Sequence, residues 1–103
     1  VGNKSNAGSA NSVVLGNNAS ITADADNSVA LGNSAKASRP YEVSVGDSTA
    51  ETGKQFRFVS NVKAAELDND AVNLKQMKDY VAASSSGVEI LAVDEFKTQW
   101  SAA

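Results

Sequence analysis

Along the first half of the chain the apolar positions come in pairs spaced two apart, and each pair runs straight into a glycine. Val13 and Leu15 precede Gly16, Val29 and Leu31 precede Gly32, and Val43 and Val45 precede Gly46. Spacing of two is the period of a β-strand, whose successive side chains point to opposite faces. After each glycine stands an Asn or Asp (Asn3, Asn17, Asn33, Asp47), then small residues on alternate positions: Ser5 and Ala7, Ala19 and Ile21, Ala35 and Ala37. In the fourth unit Ser48 and Ala50 come one position early. Each unit therefore reads strand, turn, strand, turn, with the glycine and its Asn or Asp supplying positive φ.

The units repeat. NSVVLG at residues 11–16 returns as NSVALG at 27–32, and alignment on Gly2, Gly16, Gly32 and Gly46 gives intervals of 14, 16 and 14 residues. Two strands of about five residues with two short turns make one coil of a β-solenoid. Asp24-Ala25-Asp26 lies inside the longer interval and reads as a two-residue turn insertion. A coil this small has a narrow interior, which suits Ser, Ala and Gly. The row Val13/Leu15, Val29/Leu31, Val43/Val45 then falls on an outer face. The opposite packing, aliphatics in and small residues out, stays open on spacing alone. A continuous exposed aliphatic stripe marks an interface, and a few thin coils are marginal alone, so the pattern predicts oligomerisation.

Beyond residue 70 the period changes. Ala71, Leu74, Met77 and Val81 step by 3, 3 and 4, which predicts a short helix with an apolar stripe. Asp70 stands where an N-cap belongs, and Lys75 and Lys78 are expected towards the end the macrodipole favours. Ser84-Ser85-Ser86-Gly87 reads as a flexible break. The following VEILAVDEFKTQWSAA makes a poor heptad, and reads equally as the opening of a next module or as an appended tail.

Composition changes the picture in two ways. Aromatics are 6% of residues, and all but Tyr41 follow residue 55, so the repeat region lacks the bulky core of an ordinary domain. The formal charge is −3, with Lys and Arg scattered, which offers no basic face to nucleic acid or anionic lipid. No apolar run approaches a transmembrane span, and the start does not read as a signal peptide. Val1-Gly2 looks like a repeat already in progress, so a fragment of something longer is expected.

Across these four tandem units the NSVALG repeats, over residues 1–55, resemble the YadA-like head of trimeric autotransporter adhesins. The resemblance implies a mainly β protein, a left-handed parallel β-roll with coils of about 14 residues, packed as a homotrimer. Residues 56–70 are similar to the family's neck, whose Arg-x-Val-x-Asn-Val falls on Arg57, Val59, Asn61 and Val62. Its Asp-Ala-Val-Asn word falls on Asp70, Ala71, Val72 and Asn73. Ala64-Ala65 stands where the family usually has Ala-Gly. A coiled-coil stalk helix over 71–83 follows, then a linker and unassigned tail over 84–103.

Candidate chemistry adds little. Without His or Cys, common zinc sites, His-based triads and disulfides are excluded. Asp24-x-Asp26 and Asp68-x-Asp70 lack the rest of a calcium loop and read as turn or capping residues. No nucleophile elbow or phosphate loop appears. The expectation is therefore a non-enzymatic chain with no catalytic residue, no metal and no cofactor. What the resemblance implies is an extracellular adhesin on the bacterial surface, binding collagen, fibronectin, laminin or host-cell receptors. Nucleic acid is not expected as a partner, and the membrane only through a C-terminal anchor outside this fragment. The alternative is a structural spacer in a trimeric fibre, with no ligand of its own.

Overall fold

The structure is a computed structural model that describes residues 1–88. It comprises two compact units, Val1–Phe58 and a second beginning at Val59. The first holds six short strands: β1 (Asn6–Ala7), β2 (Val13–Leu15), β3 (Ser20–Ile21), β4 (Val29–Leu31), β5 (Lys36–Ala37) and β6 (Val43–Ser44). Odd strands form one parallel sheet in the order β1-β3-β5, and even strands another in the order β2-β4-β6. The chain alternates between the sheets, so each circuit adds one strand to each. This is a parallel β-roll.

Register confirms the coil lengths. Asn6 pairs with Ser20 and Val29 with Val43, one interval of 14 each, while Val13 pairs with Val29 and Ser20 with Lys36 across 16. The two extra residues therefore lie between β3 and β4, as the Asp24-Ala25-Asp26 insertion requires. Ala25 is fully buried, so the longer corner folds its methyl inward instead of looping away.

The interior is thin. Val14, Ala19, Ile21, Ala25, Ala30, Ala35 and Ala37 form it, and Ile21 is its largest member. Ser28 is buried with them, and its hydroxyl is satisfied on both sides: it donates to Arg39 O at 2.8 Å and accepts from Glu42 N–H at 3.1 Å. Small side chains are required because two sheets this close leave no room for larger ones, and added volume would force strain.

Turn chemistry differs in detail from the sequence expectation. Positive φ falls on Gly2, Gly16 and Gly32, but the Asn after each glycine does not share it. The second residue after the glycine does: Lys4, Asn18 and Ser34, near +60°. A second column, Asn11, Asn27 and Tyr41, occupies the same region at the other turn. Gly46, expected as a fourth equivalent turn, lacks positive φ. The fourth unit builds no further coil. Its chain doubles back, with an antiparallel bridge between Asp47 and Gln55.

In the second unit the helix, α1, spans Leu74–Val88. It starts three residues later than the 71–83 expected, so Ala71 lies outside it. It also passes through Ser84-Ser85-Ser86-Gly87, which the sequence marked as a break. Propagating an established helix costs little per residue, and serine is only a mediocre helix former, not a breaker. Lys75 falls in the first turn, at the end the macrodipole disfavours for a cation, and pairs with Asp79 at 2.6 Å. That exposed pair is worth a few tenths of a kcal/mol at most. The remainder of the expected 84–103 tail, residues 89–103, lies outside the described residues. No helix among the described residues is long and apolar enough to cross a membrane.

Candidate functional site

The parallel register stacks the outer positions of the even sheet into two files, Val13-Val29-Val43 and Leu15-Leu31. Alternation turns Val14 and Ala30 inward and these side chains outward. Val13 is 56% exposed, Leu15 47%, Leu31 42% and Val43 68%, with Val29 and Val45 half-buried. Of the two packings that spacing left open, the structure adopts the one with small residues inside. The result is an unbroken aliphatic face on one side of the roll. Covering it is worth roughly 1 kcal/mol per half-exposed side chain.

Tyr41 stands at the turn that leads into β6. It is 81% exposed and holds a φ of 60°, in the column otherwise made by Asn11 and Asn27. A bulky residue there is strained, whereas Asn tolerates the region. Its backbone N–H still makes the rung to Asp26 O at 3.1 Å, as Asn27 does to Ala10 O. Glu42 braces the same corner, accepting from Ser38 N–H at 2.9 Å and Arg39 N–H at 3.3 Å. Asp26, one of the paired carboxylates, spans coils by accepting from Ala10 N–H at 3.1 Å.

At the end of the roll Arg57 folds back over the last coil. Its guanidinium donates to Val45 O, to Asn33 O at 2.6 Å and to Gln55 Oε1 at 3.0 Å. A cavity of about 270 Å³ opens beside it, with Lys36, Glu42, Asp47, Phe56 and Arg57 in its lining. The Thr49 hydroxyl, 2.6 Å from Asp47 Oδ1, and the Thr49 N–H hold the Asp47 carboxyl below its ordinary range.

The residues that resemblance assigns to a neck divide into two groups. Val59 and Val72 are exposed, Val62 is half-buried, and Asn61 adopts a φ of 64°. Around the helix start the polar groups interlock. Asn73, not Asp70, is the N-cap: its Oδ1 accepts from Gln76 N–H at 2.8 Å, while its Nδ2 donates to Val62 O at 2.7 Å. Gln76 pairs with both backbone groups of Ala65, at 2.8 and 2.9 Å. Asp70 instead closes the turn before the helix, its Oδ2 accepting from Leu67 and Glu66 N–H at 3.0 Å each. Those two donors, Leu67 first, lower its pKa. Three intervening residues put Asp70 beyond reach of the first helical N–H groups. Leu74, Met77 and Val81 follow as an exposed stripe on α1, each at least half exposed.

Asn73→Ala should therefore lower stability by about 0.5–2 kcal/mol through loss of the cap. Asp70→Ala should leave the helix signal at 222 nm intact. Circular dichroism melts of the two variants, side by side, check the reassignment; an unaltered Asn73→Ala melt overturns it.

The model of the YadA head domain repeat matches this chain twice, at residues 1–19 and 23–41. Over those residues the β-roll is similar to a YadA head. The first match ends just past the Gly16 turn and the second runs from the corner before β4 to Tyr41, so together they include Val13, Leu15, Val29 and Leu31 of the aliphatic face. YadA-like heads are carried by trimeric autotransporter adhesins and in general form homotrimers exposed at the bacterial surface. A search of the curated proteins returns no match to the chain. The sequence missed Gln76, Glu42 and the carbonyl targets of Arg57. Polar side chains in loops carry no periodic signal, and Gln76 sits inside a helical pattern that explains its presence without a role.

Proposed function

We propose that this chain is the head and neck of a bacterial trimeric autotransporter adhesin that attaches the cell to host matrix proteins or host-cell receptors, without enzymatic activity. Three left-handed rolls would pack their aliphatic faces around a three-fold axis, with the neck leading into a coiled-coil stalk and the membrane reached through an anchor further along the protein. The observation that carries this reading is the continuous aliphatic face on a head that matches the YadA repeat. One copy leaves it open to water, and side-by-side association of identical copies is the simplest way to cover it.

Such a head presents the same polar coil surface on each copy. Binding is then shallow and weak per site, and strengthened by presentation in threes and in many copies. The trimer should adhere to collagen-, fibronectin- or laminin-coated surfaces, or to host cells, far better than a dissociated chain does. A flat response to all four would leave the structural spacer as the better account.

A further inference from the structure

The roll contains a reason for its own ending. A Cβ placed on Gly2 would stand 2.8 Å from the carbonyl of Gly16, and one on Gly16 would stand 2.5 Å from the carbonyl carbon of Gly32. Each glycine thus lies flat against the glycine peptide one coil on. By the same rule Gly32 should lie against Gly46. A Cβ on Gly32 would instead meet the guanidinium carbon of Arg57 at 2.8 Å, and one on Gly46 would meet the backbone of Gln55.

The hydrogen-bond ladder breaks at the same place. Gly16 N–H donates to Val1 O at 2.8 Å and Gly32 N–H to Leu15 O at 2.7 Å, so Gly46 should reach Leu31. Its N–H is directed at Ser44 Oγ at 3.5 Å instead. One turn further, Asn18 donates to Asn3 O and Ser34 to Asn17 O, which makes Ser48 the expected donor to Asn33 O. Arg57 Nη2 takes that carbonyl. The strands agree: β2 and β4 pair over three rungs, but β4 and β6 over two, ending at Ala30 opposite Ser44. The missing rung is Leu31 opposite Val45, and Val45 O is held by Arg57 Nη1.

We propose that Arg57 is the terminator of the roll. Its planar guanidinium takes the place of the next coil's peptide against Gly32, claims two carbonyls on either side of the gap, and turns the chain out of the stack. Arginine suits the role because a flat, forked donor can both lie on a peptide and bridge two oxygens; a lysine ammonium can do neither. The fourth unit, whose aliphatic pair Val43 and Val45 still runs into Gly46, then fails to build a coil because its slot is filled. This inference stands on the roll alone and does not depend on adhesion.

Amide hydrogen exchange tests it. In the native protein the Gly46 amide should exchange much faster than that of Gly32. In Arg57→Ala the slot empties, Gly46 closes onto Gly32, and its exchange should slow by about tenfold or more while the Val29 and Gly32 rungs keep their protection. Guanidinium at non-denaturing concentration should refill the slot and restore fast exchange. A Gly46 amide that exchanges as fast or faster in Arg57→Ala, with the Val29 rung intact, overturns the proposal and leaves Arg57 a simple staple. Should Arg57→Ala loosen every rung, the same criterion applies to Arg57→Lys, which keeps the charge but not the fork.

Discussion

Gly16→Ala should cost far more stability than Gly53→Ala. Gly16 holds a φ of 143°, a region closed to side chains, and its Cβ would stand 2.5 Å from the carbonyl carbon of Gly32. The obstacle is backbone in the middle of a parallel ladder, so it cannot swing aside as a flexible side chain would. Backbone strain of about 1–3 kcal/mol and overpacking of similar size add to a loss on the order of 2–5 kcal/mol. For a small domain that is a large share of the total. Gly53→Ala is the matched control, because Gly53 also has positive φ, at 71°, yet nothing lies within 4 Å of its Cβ. It should lose only about 1–2 kcal/mol, from conformation alone. Urea midpoints for the two variants give the comparison. Equal losses would show that the coils are not in tight register at the glycine column.

Charging the aliphatic face should abolish assembly. In the double variant Val29→Asp/Leu31→Asp both side chains remain at the surface of a single roll, where Leu31 is already 42% exposed, so the coil itself can persist. Around a three-fold axis the same carboxylates would gather without partners and away from water. Burying unpaired charge costs several kcal/mol or expels the group altogether. Light scattering across a dilution series should show the mass of one chain for the variant and of three for the native protein. Asp24→Ser, at an exposed corner, should change neither mass nor melting. A double variant that stays trimeric with unaltered melting would mean that this face does not meet the axis.

Much of the roll was legible because its periods are redundant. Val13/Leu15 alone could belong to many structures, but the same pair before Gly16, Gly32 and Gly46 fixes both strand and coil. Even the insertion around Ala25 declared itself, since it lengthened one interval without disturbing the words on either side. What failed to show was whatever breaks period. Gly46 follows the same spaced aliphatic pair, Val43 and Val45, yet its place in the stack is taken by Arg57, eleven residues on, and no local rule predicts that substitution of a side chain for a coil. Residue type and position point to Asp70 as the N-cap, but Asn73 satisfies the same rule and is nearer the first free N–H groups. Tyr41 at positive φ was invisible because the column it completes otherwise holds Asn.

The direction of the inter-coil hydrogen bonds has a mechanical consequence. In both sheets neighbouring strands come from successive coils, so these bonds run along the axis of the roll. A pull along that axis meets them end-on and one coil at a time, as in opening a zipper, instead of loading many together in shear. A lone roll would peel rung by rung at modest force. A partner lying flat against Val13, Leu15, Val29, Leu31 and Val43 would change that geometry, since separation would then have to strip a whole face at once.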